Sequence, residues 1–400
     1  MKIKLLIPLQ FLFYSICFGQ SYDPFIEELM NQTNLDSLVS YVRILSGEDS
    51  VTIADSTVLI THRVSSIGND LAAEYIKEKL EDYGLEIYDQ QYSSQGRNIY
   101  AIQRGTLYPE EYYIYCAHYD AVTNFCADDN ASGVAGVLEA ARILSDYQFD
   151  YSIIYALWDE EEVGLFGSSF YAAQADSNDM DIKGVLNFEM SGWDSNDDGL
   201  MDIHTRNISN SLLLSNLMFA IDSVYNLPLQ PVIYNPGTTG SDHSSFWQQN
   251  YSAICFSEAY YGGDFNPYYH SAQDRIDKFN LPYFHNVAKL GIASIATLAQ
   301  KNSVVSMQED GIIPSSISVS NFPNPFNSST IIQFELAEQG NIALDLYNTI
   351  GEKIETLSEG YKQAGNYEFH FNASSLSSGV YFIILRTHSQ IFSHKISLLK

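Results

Sequence analysis

An α/β fold, a mixed and mostly parallel sheet covered by helices, followed by a small all-β sandwich of immunoglobulin-like size, is the class this chain of 400 residues predicts. Three observations carry that expectation. Apolar runs of strand length recur between residues 85 and 256, and helical periods separate several of them. Side chains able to hold metal stand directly after those runs, where α/β sheets build their sites. Beyond residue 317 the helical periods stop, and only short alternating runs broken by turns remain.

Composition narrows the class further. With 46% hydrophobic and 14% aromatic residues the chain buries a core, which excludes disorder throughout. Its 49 acidic residues against 20 basic ones give a net charge of −29, which argues against nucleic acid and anionic membranes as partners and suits cation binding. Residues 1–20 pair Lys2 and Lys4 with LLIPLQFLFYSICFG, a signal-peptide pattern cut after Gly19 or Gln20. Cys17 raises a lipoprotein alternative, but Ile16 stands where a small residue is expected. No other apolar run approaches the roughly 20 residues of a spanning helix, so no stable membrane span is expected. Removing the signal leaves Cys116, Cys126 and Cys255, an odd number. Cys116 and Cys255 read as buried thiols in strands, and Cys126, beside an acidic loop, can ligate a soft metal.

The elements follow in order. Helical spacing runs over 23–46, and 70–84 is the clearest helix, ended by Gly84 and followed by a strand at 85–92. Strands are expected at 98–103, 111–117, 151–157, 184–188, 201–204 and 252–256, with helices at 132–147, 165–174, 209–225 and 280–300. Residues 304–316 read as a polar linker between a domain over 21–303 and a sandwich over 317–400.

The chemistry gathers at strand ends. The run EYYIYCA meets His118 and Asp120, a spacing that puts an imidazole on a metal with a carboxylate fixing its tautomer. Asp128, Asp129 and Asn130 then crowd before a helix start and would repel one another without a cation or solvent, although Asp and Asn also favour helix N-caps. Asp159, Glu160, Glu161 and Glu162 follow the next strand; they suit either a metal or the positive end of a helix. Glu189 emerges from apolar Leu186 and Phe188, where burying it unpaired would cost several kcal/mol. The loop holding Tyr269, His270 and Asp274 supplies a second imidazole and a candidate orienting carboxylate for it. Asp194, Asn196, Asp198 and Asp202 occupy positions 1, 3, 5 and 9 of a calcium-type loop with Gly199 at 6, but Thr205 stands where a Glu belongs, so Ca2+ competes with a solvated acidic turn. Jointly, two His and several carboxylates past strand ends meet the needs of two zinc ions about 3.5–4 Å apart.

In order, AHYD, ADDNASG, DEEEVGLFGS, NFEMSG, SDHSSFW and NPYYHSAQD, preceded by GNDLAAEYIKEKLEDYGL, resemble the M28 zinc aminopeptidases over about 61–300. The resemblance implies the zinc exopeptidase (phosphorylase/hydrolase-like) fold and two Zn2+ ions. His118 and Glu189 would hold one ion, Glu162 and His270 the other, and Asp129 would bridge them. Glu161 would be the general base, Tyr269 would stabilise the oxyanion, and Asp120 would back His118. The substrates implied are peptides or proteins with a free N-terminus. The family usually has Asp where Glu189 stands, a position that in related co-catalytic peptidases varies with the end of the peptide attacked. The alternatives are a glutaminyl cyclase-like single-zinc acyltransferase, a zinc carboxypeptidase or dipeptidase, and a catalytically silent binding protein of the same fold. FPNPFNSSTIIQFEL, LDLYNTIGEKI, LSSGVYFIIL and the terminal KISLLK resemble the type A sorting domain of type IX secretion substrates. It implies passage through the outer-membrane secretion machinery, placing the product outside the cell or on its surface. A carbohydrate- or protein-binding sandwich is the other reading of that module.

Overall fold

The computed structural model describes residues 22–300 apart from 65–66, and residues 318–400 apart from short gaps. The expected signal segment and the linker at 304–316 lie outside the described residues. Two compact units result, one within 20–306 and one within 307–400.

The first unit begins with α1 (Pro24–Asn31) and α2 (Leu35–Leu45) where one helical stretch is expected. The break has a local cause. Asp23 caps α1 by accepting from the Phe25 amide at 2.9 Å, and Asn34 caps a new helix by accepting from the Ser37 amide at 2.9 Å. A short hairpin, β1 (Val51–Ile53) and β2 (Ser56–Val58), precedes α3 (Ile67–Asp82), which starts three residues before the expected Asp70. Then come β3 (Glu86–Gln91), β4 (Arg97–Gln103), β5 (Tyr108–His118), a π-helical turn at Ala127–Ser132, α4 (Gly133–Leu144) and β6 (Tyr151–Trp158). The unit continues with α5 (Phe166–Ser177), β7 (Asp181–Phe188), β8 (Leu200–His204), α6 (Ser211–Tyr225) and β9 (Gln230–Tyr234). It closes with α7 (His243–Gln248), β10 (Ala253–Glu258) and α8 (Leu281–Leu298).

Eight strands form one sheet in the order β3-β4-β6-β5-β7-β10-β8-β9. Its centre, β6-β5-β7-β10, is parallel throughout, and antiparallel pairings flank it at β4/β6 and β10/β8. Strand β5 shows why the centre is stable. Tyr113, Tyr115 and Ala117 enter the core shared with α1–α4, α6 and α8, while Tyr112, Ile114 and Cys116 enter the core formed with α5 and α7. The period-2 alternation therefore buries both faces, and each large apolar side chain removed from water contributes roughly 1.5–3 kcal/mol. Parallel strands share one C-terminal edge, so His118, Asp159, Glu189 and Glu258 all emerge on the same side of the sheet.

The second unit is entirely antiparallel. β11 (Ser318–Phe322), β12 (Ser329–Leu336) and β15 (Gly365–Asn372) form one sheet in the order β11-β12-β15. β13 (Gly340–Asn348), β14 (Lys353–Lys362), β16 (Gly379–Arg386) and β17 (Ile391–Leu398) form the other, in the order β14-β13-β16-β17. Val319, Ile332, Phe334, Leu344, Leu346, Ile383, Leu385 and Ile396 share one core between them. Among the described residues of the chain, no helix is long and apolar enough to cross a membrane.

Candidate metal centre

Two ligand triads lie past the C-terminal ends of the parallel strands. His118, Asp129 and Glu189 make one, and Asp129, Glu162 and His270 make the other, each with its ligand atoms within 4.8 Å of one another. In the first, His118 Nε2 stands 3.1 Å from Glu189 Oε1 and 3.5 Å from Asp129 Oδ1. In the second, His270 Nε2 stands 3.1 Å from Glu162 Oε2 and 3.2 Å from Asp129 Oδ2. Asp129 thus offers one oxygen to each triad.

The residues fit zinc on three grounds. Ligand atoms around a tetrahedral zinc with bonds of about 2.0 Å stand about 3.3 Å apart, which is the spacing found in both triads. Asp129 Oδ2 and Glu162 Oε1 are buried without a hydrogen bond, an arrangement that costs stability unless a cation occupies the space they face. Two imidazoles with three carboxylates also form a donor set suited to zinc.

Local structure explains how distant segments meet. The π-helical turn leaves Asp129 (φ −101°, ψ 95°) and Asn130 (φ −123°, ψ 45°) outside helical geometry, which swings the Asp129 carboxylate out of the helix line. Helix α4 then packs against the end of β7. A Cβ on Gly136 would sit 2.0 Å from the Phe188 ring, and one on Gly133 would sit 2.4 Å from the Phe188 carbonyl oxygen, so only glycine permits this approach. Glu189 follows Phe188 directly. Its Oε2 accepts from Asn130 Nδ2 and Ser241 Oγ, both at 3.1 Å, leaving Oε1 for His118. Asn130 Oδ1 meanwhile accepts from the Gly133 amide at 2.9 Å, the capping role the sequence suggests for it.

Asp120 organises the neighbouring strand end. Its Oδ1 lies 3.3 Å from His118 Nδ1, and its two oxygens accept from the amides of Glu161 and Glu162 at 3.1 Å each. One buried carboxylate therefore fixes the backbone of Glu161 and Glu162 and stands beside the imidazole of His118, a candidate ligand. Tyr269 stacks on His270 with ring centroids 3.7 Å apart and is 42% exposed, so its face is open to an incoming molecule.

The electrostatics follow from crowding. Burial, then the carboxylates of Asp242, Glu189 and Glu162, push Glu161 well above the ordinary range against the opposing pull of His118. Burial and Asp129 raise Glu162 to about 9. Burial would also raise Asp129, but His118 and His270 prevail and hold it below the usual carboxylate range. Burial opposes a charge on His118, yet Glu189, Glu161, Asp120 and Asp129 outweigh it and raise that imidazole's proton affinity well above normal. These carboxylates draw positive charge of any kind, proton or metal.

Three possibilities raised by the sequence look different in the structure. Asp274 does not orient His270; its oxygens accept from the amides of Asp128 and Asp129, the nearest unpaired N–H groups at the start of the π turn. Cys126 belongs to neither triad: it is fully buried, its thiol lies 3.6 Å from the Thr123 carbonyl, and burial raises it to about 12. The calcium-type loop is not assembled from all four residues. Asp194, Asn196 and Asp198 accept from amides of their own loop, while Asp202 lies buried in β8 and turns to the Tyr261 amide.

Two further residues near the site were missed by the sequence reading, one without a local signal and one with it. Arg63 is fully buried, and its guanidinium donates to the carbonyls of Leu45, Tyr119, Phe125, Cys126 and Asp129, thereby holding the loop that leads to the shared ligand. A lone Arg in a polar stretch does not announce this. Glu258 ends the apolar strand β10 as Glu189 follows β7, so the rule that found Glu189 also applies to Glu258.

Residues 98–295 match the profile of "Peptidase family M28", and residues 320–398 match that of "Secretion system C-terminal sorting domain". The chain carries a peptidase family M28 domain followed by a secretion sorting domain. It is 34% identical over 117 residues to a probable zinc metalloprotease of Pyricularia oryzae, covering 27% of this chain and 23% of that protein. The chain spans less than half the length of this and similar curated relatives. Two solved structures share its fold. The LapA aminopeptidase of Legionella pneumophila superposes with a TM-score of 0.60 at 21% identity, over 75% of this chain and 80% of that one. A glutaminyl cyclase of Bacteroides thetaiotaomicron does so with a TM-score of 0.55 at 17% identity, over 66% of this chain and 98% of that one.

Proposed function

We propose that the chain is an exported di-zinc aminopeptidase that hydrolyses the N-terminal peptide bond of peptides or proteins. The observation that carries this reading is the division of the Asp129 oxygens between two triads of similar ligand spacing. Zinc held there would polarise the scissile carbonyl and bring the pKa of water toward neutrality. Glu161 acts as general base, taking a proton from the attacking water and returning it to the leaving amine. Asp120 fixes the His118 tautomer and the backbone of Glu161 and Glu162. The Tyr269 hydroxyl, kept protonated by burial and by the carboxylates of Asp129 and Glu162, donates to the substrate oxygen as it gains charge. The sorting domain takes the enzyme across the outer membrane to the surface or beyond.

A single-zinc cyclase is the second reading, favoured by the shared fold. It needs only one of the triads, and the presence of the other at similar spacing supports the peptidase. Purified protein loaded with zinc is expected to cleave N-terminally free peptides and spare N-blocked ones. Glu161→Gln is expected to retain two zinc ions and lower kcat by roughly 10²–10⁴-fold. Cleavage of blocked peptides alone, ammonia release from N-terminal glutamine, or normal turnover by the variant would each defeat the proposal.

A further inference from the structure

Behind the ligands lies a group of carboxyl side chains that the chemistry above does not use. Asp128, Glu258, Asp274 and Asn266 are each 2% exposed or less. Asp274 accepts from the Asp128 amide at 3.1 and 3.0 Å and from the Asp129 amide at 3.0 Å, gripping the backbone of the shared ligand. Asp128 Oδ1 accepts from the amides of Ser191 and Gly192 at 3.0 and 2.7 Å, just beyond Glu189. Asn266 Nδ2 donates to Asp128 Oδ2 at 2.9 Å and reaches Asp274 Oδ1 at 3.3 Å, four residues before His270. Glu258 accepts from the amides of Asn266 and Trp193, both at 2.9 Å.

We propose that these four residues form a buried carboxyl node that sets the two ligand triads relative to each other, with Asp274 as a positioning residue for both. The node touches the backbone beside Asp129, Glu189 and His270, which together belong to both triads. Among the described residues it takes part in no ion pair; backbone amides, the Asn266 side-chain amide and a hydrogen bond between Asp128 and Glu258 satisfy it instead. Three carboxyl groups in a dry space cost stability compared with apolar packing, so their value lies in the directed hydrogen bonds that fix several loops at once. Carboxylate-to-amide bonds are short and directional, and they hold a ligand's backbone where van der Waals contact would let it slide.

The inference rests on the assignment of Asp129 as the shared ligand, and the test separates the two. Zinc and cobalt titrations of the full chain are run on the wild type, on Asp274→Asn and on Glu258→Gln, with melting of the metal-free proteins and the cobalt absorption spectrum as further readouts. Asn at 274 keeps the volume but turns an NH2 group toward backbone N–H donors. The expected result is that both metal-binding steps weaken by roughly 10–100-fold, with altered cobalt bands for both ions. At saturating zinc, kcat falls while KM changes little. Weakening of one step alone, or metal binding and kcat equal to the wild type, would overturn the coupling. If Asp274→Asn fails to fold, the milder Glu258→Gln is read by the same criteria. A wild type that binds fewer than two ions would defeat the shared-ligand assignment and this inference with it.

Discussion

The two triads use one chemistry in unlike surroundings. His118 ends the central strand β5, and its side chain is 1% exposed; His270 lies on a loop, in the left-handed region at φ 56°, with its side chain 39% exposed. Sheet hydrogen bonds and Asp120 hold the first imidazole, while the second leans on the ring of Tyr269. A non-glycine residue in that backbone region is strained by about 1–3 kcal/mol, a cost tolerated at functional sites. The strand-end half is therefore the more enclosed of the two, and the loop half is the side more open to solvent.

The largest expected effect comes from removing what the halves share. Asp129→Ala is expected to abolish stoichiometric binding of both ions and to lower activity by more than the roughly 10–100-fold cost of losing a residue that only supports a ligand. Metal analysis by mass spectrometry reads it, and retention of both ions would break the symmetry inferred from the oxygen-by-oxygen division. A smaller effect sharpens the asymmetry. Chelator titration of the wild type should remove metal in two steps, the His270 ion first, and His270→Ala should keep one tightly held ion while His118→Ala should not. Simultaneous loss of both ions from the wild type would show that exposure does not distinguish the halves.

The smallest effect contrasts carboxylates crowded at the site with one perturbed by burial alone. Asp222, in α6, is raised to about 7 by desolvation, and one of its oxygens has no hydrogen bond. The unfolded chain releases this proton near pH 3.9, whereas the folded protein keeps it until about pH 7, so stability falls as pH rises through that window. Asp222→Asn should raise Tm by a few degrees near pH 8 and change it little near pH 4. Scanning calorimetry at the two values checks the sign.

Much of this was legible in the residues because the signals were local. Strand β5 alternates into two cores, and α4 announces itself by its apolar period and by the glycines that let it approach Phe188. His118, Glu162 and Glu189 stand next to strand ends, where periodicity makes a polar residue conspicuous. The misreadings have one cause. Asp274 is four residues from His270 in sequence yet bonds to amides about 145 residues away, and Asp202 belongs to a strand rather than to the acidic loop before it. Spacing along the chain does not report where a side chain turns when several backbone donors compete for it.

The sequence by itself determined the fold class, the strand-end clusters and the residue types able to hold metal, because hydrophobic period and charge crowding are properties of short windows. Only the tertiary structure decided how Asp129 divides its two oxygens between the triads, that Arg63 and Asp274 grip the loop carrying it, and that one imidazole is buried while the other is open. Those facts depend on segments brought together by the parallel sheet, and no local pattern encodes the distance between the ends of two strands.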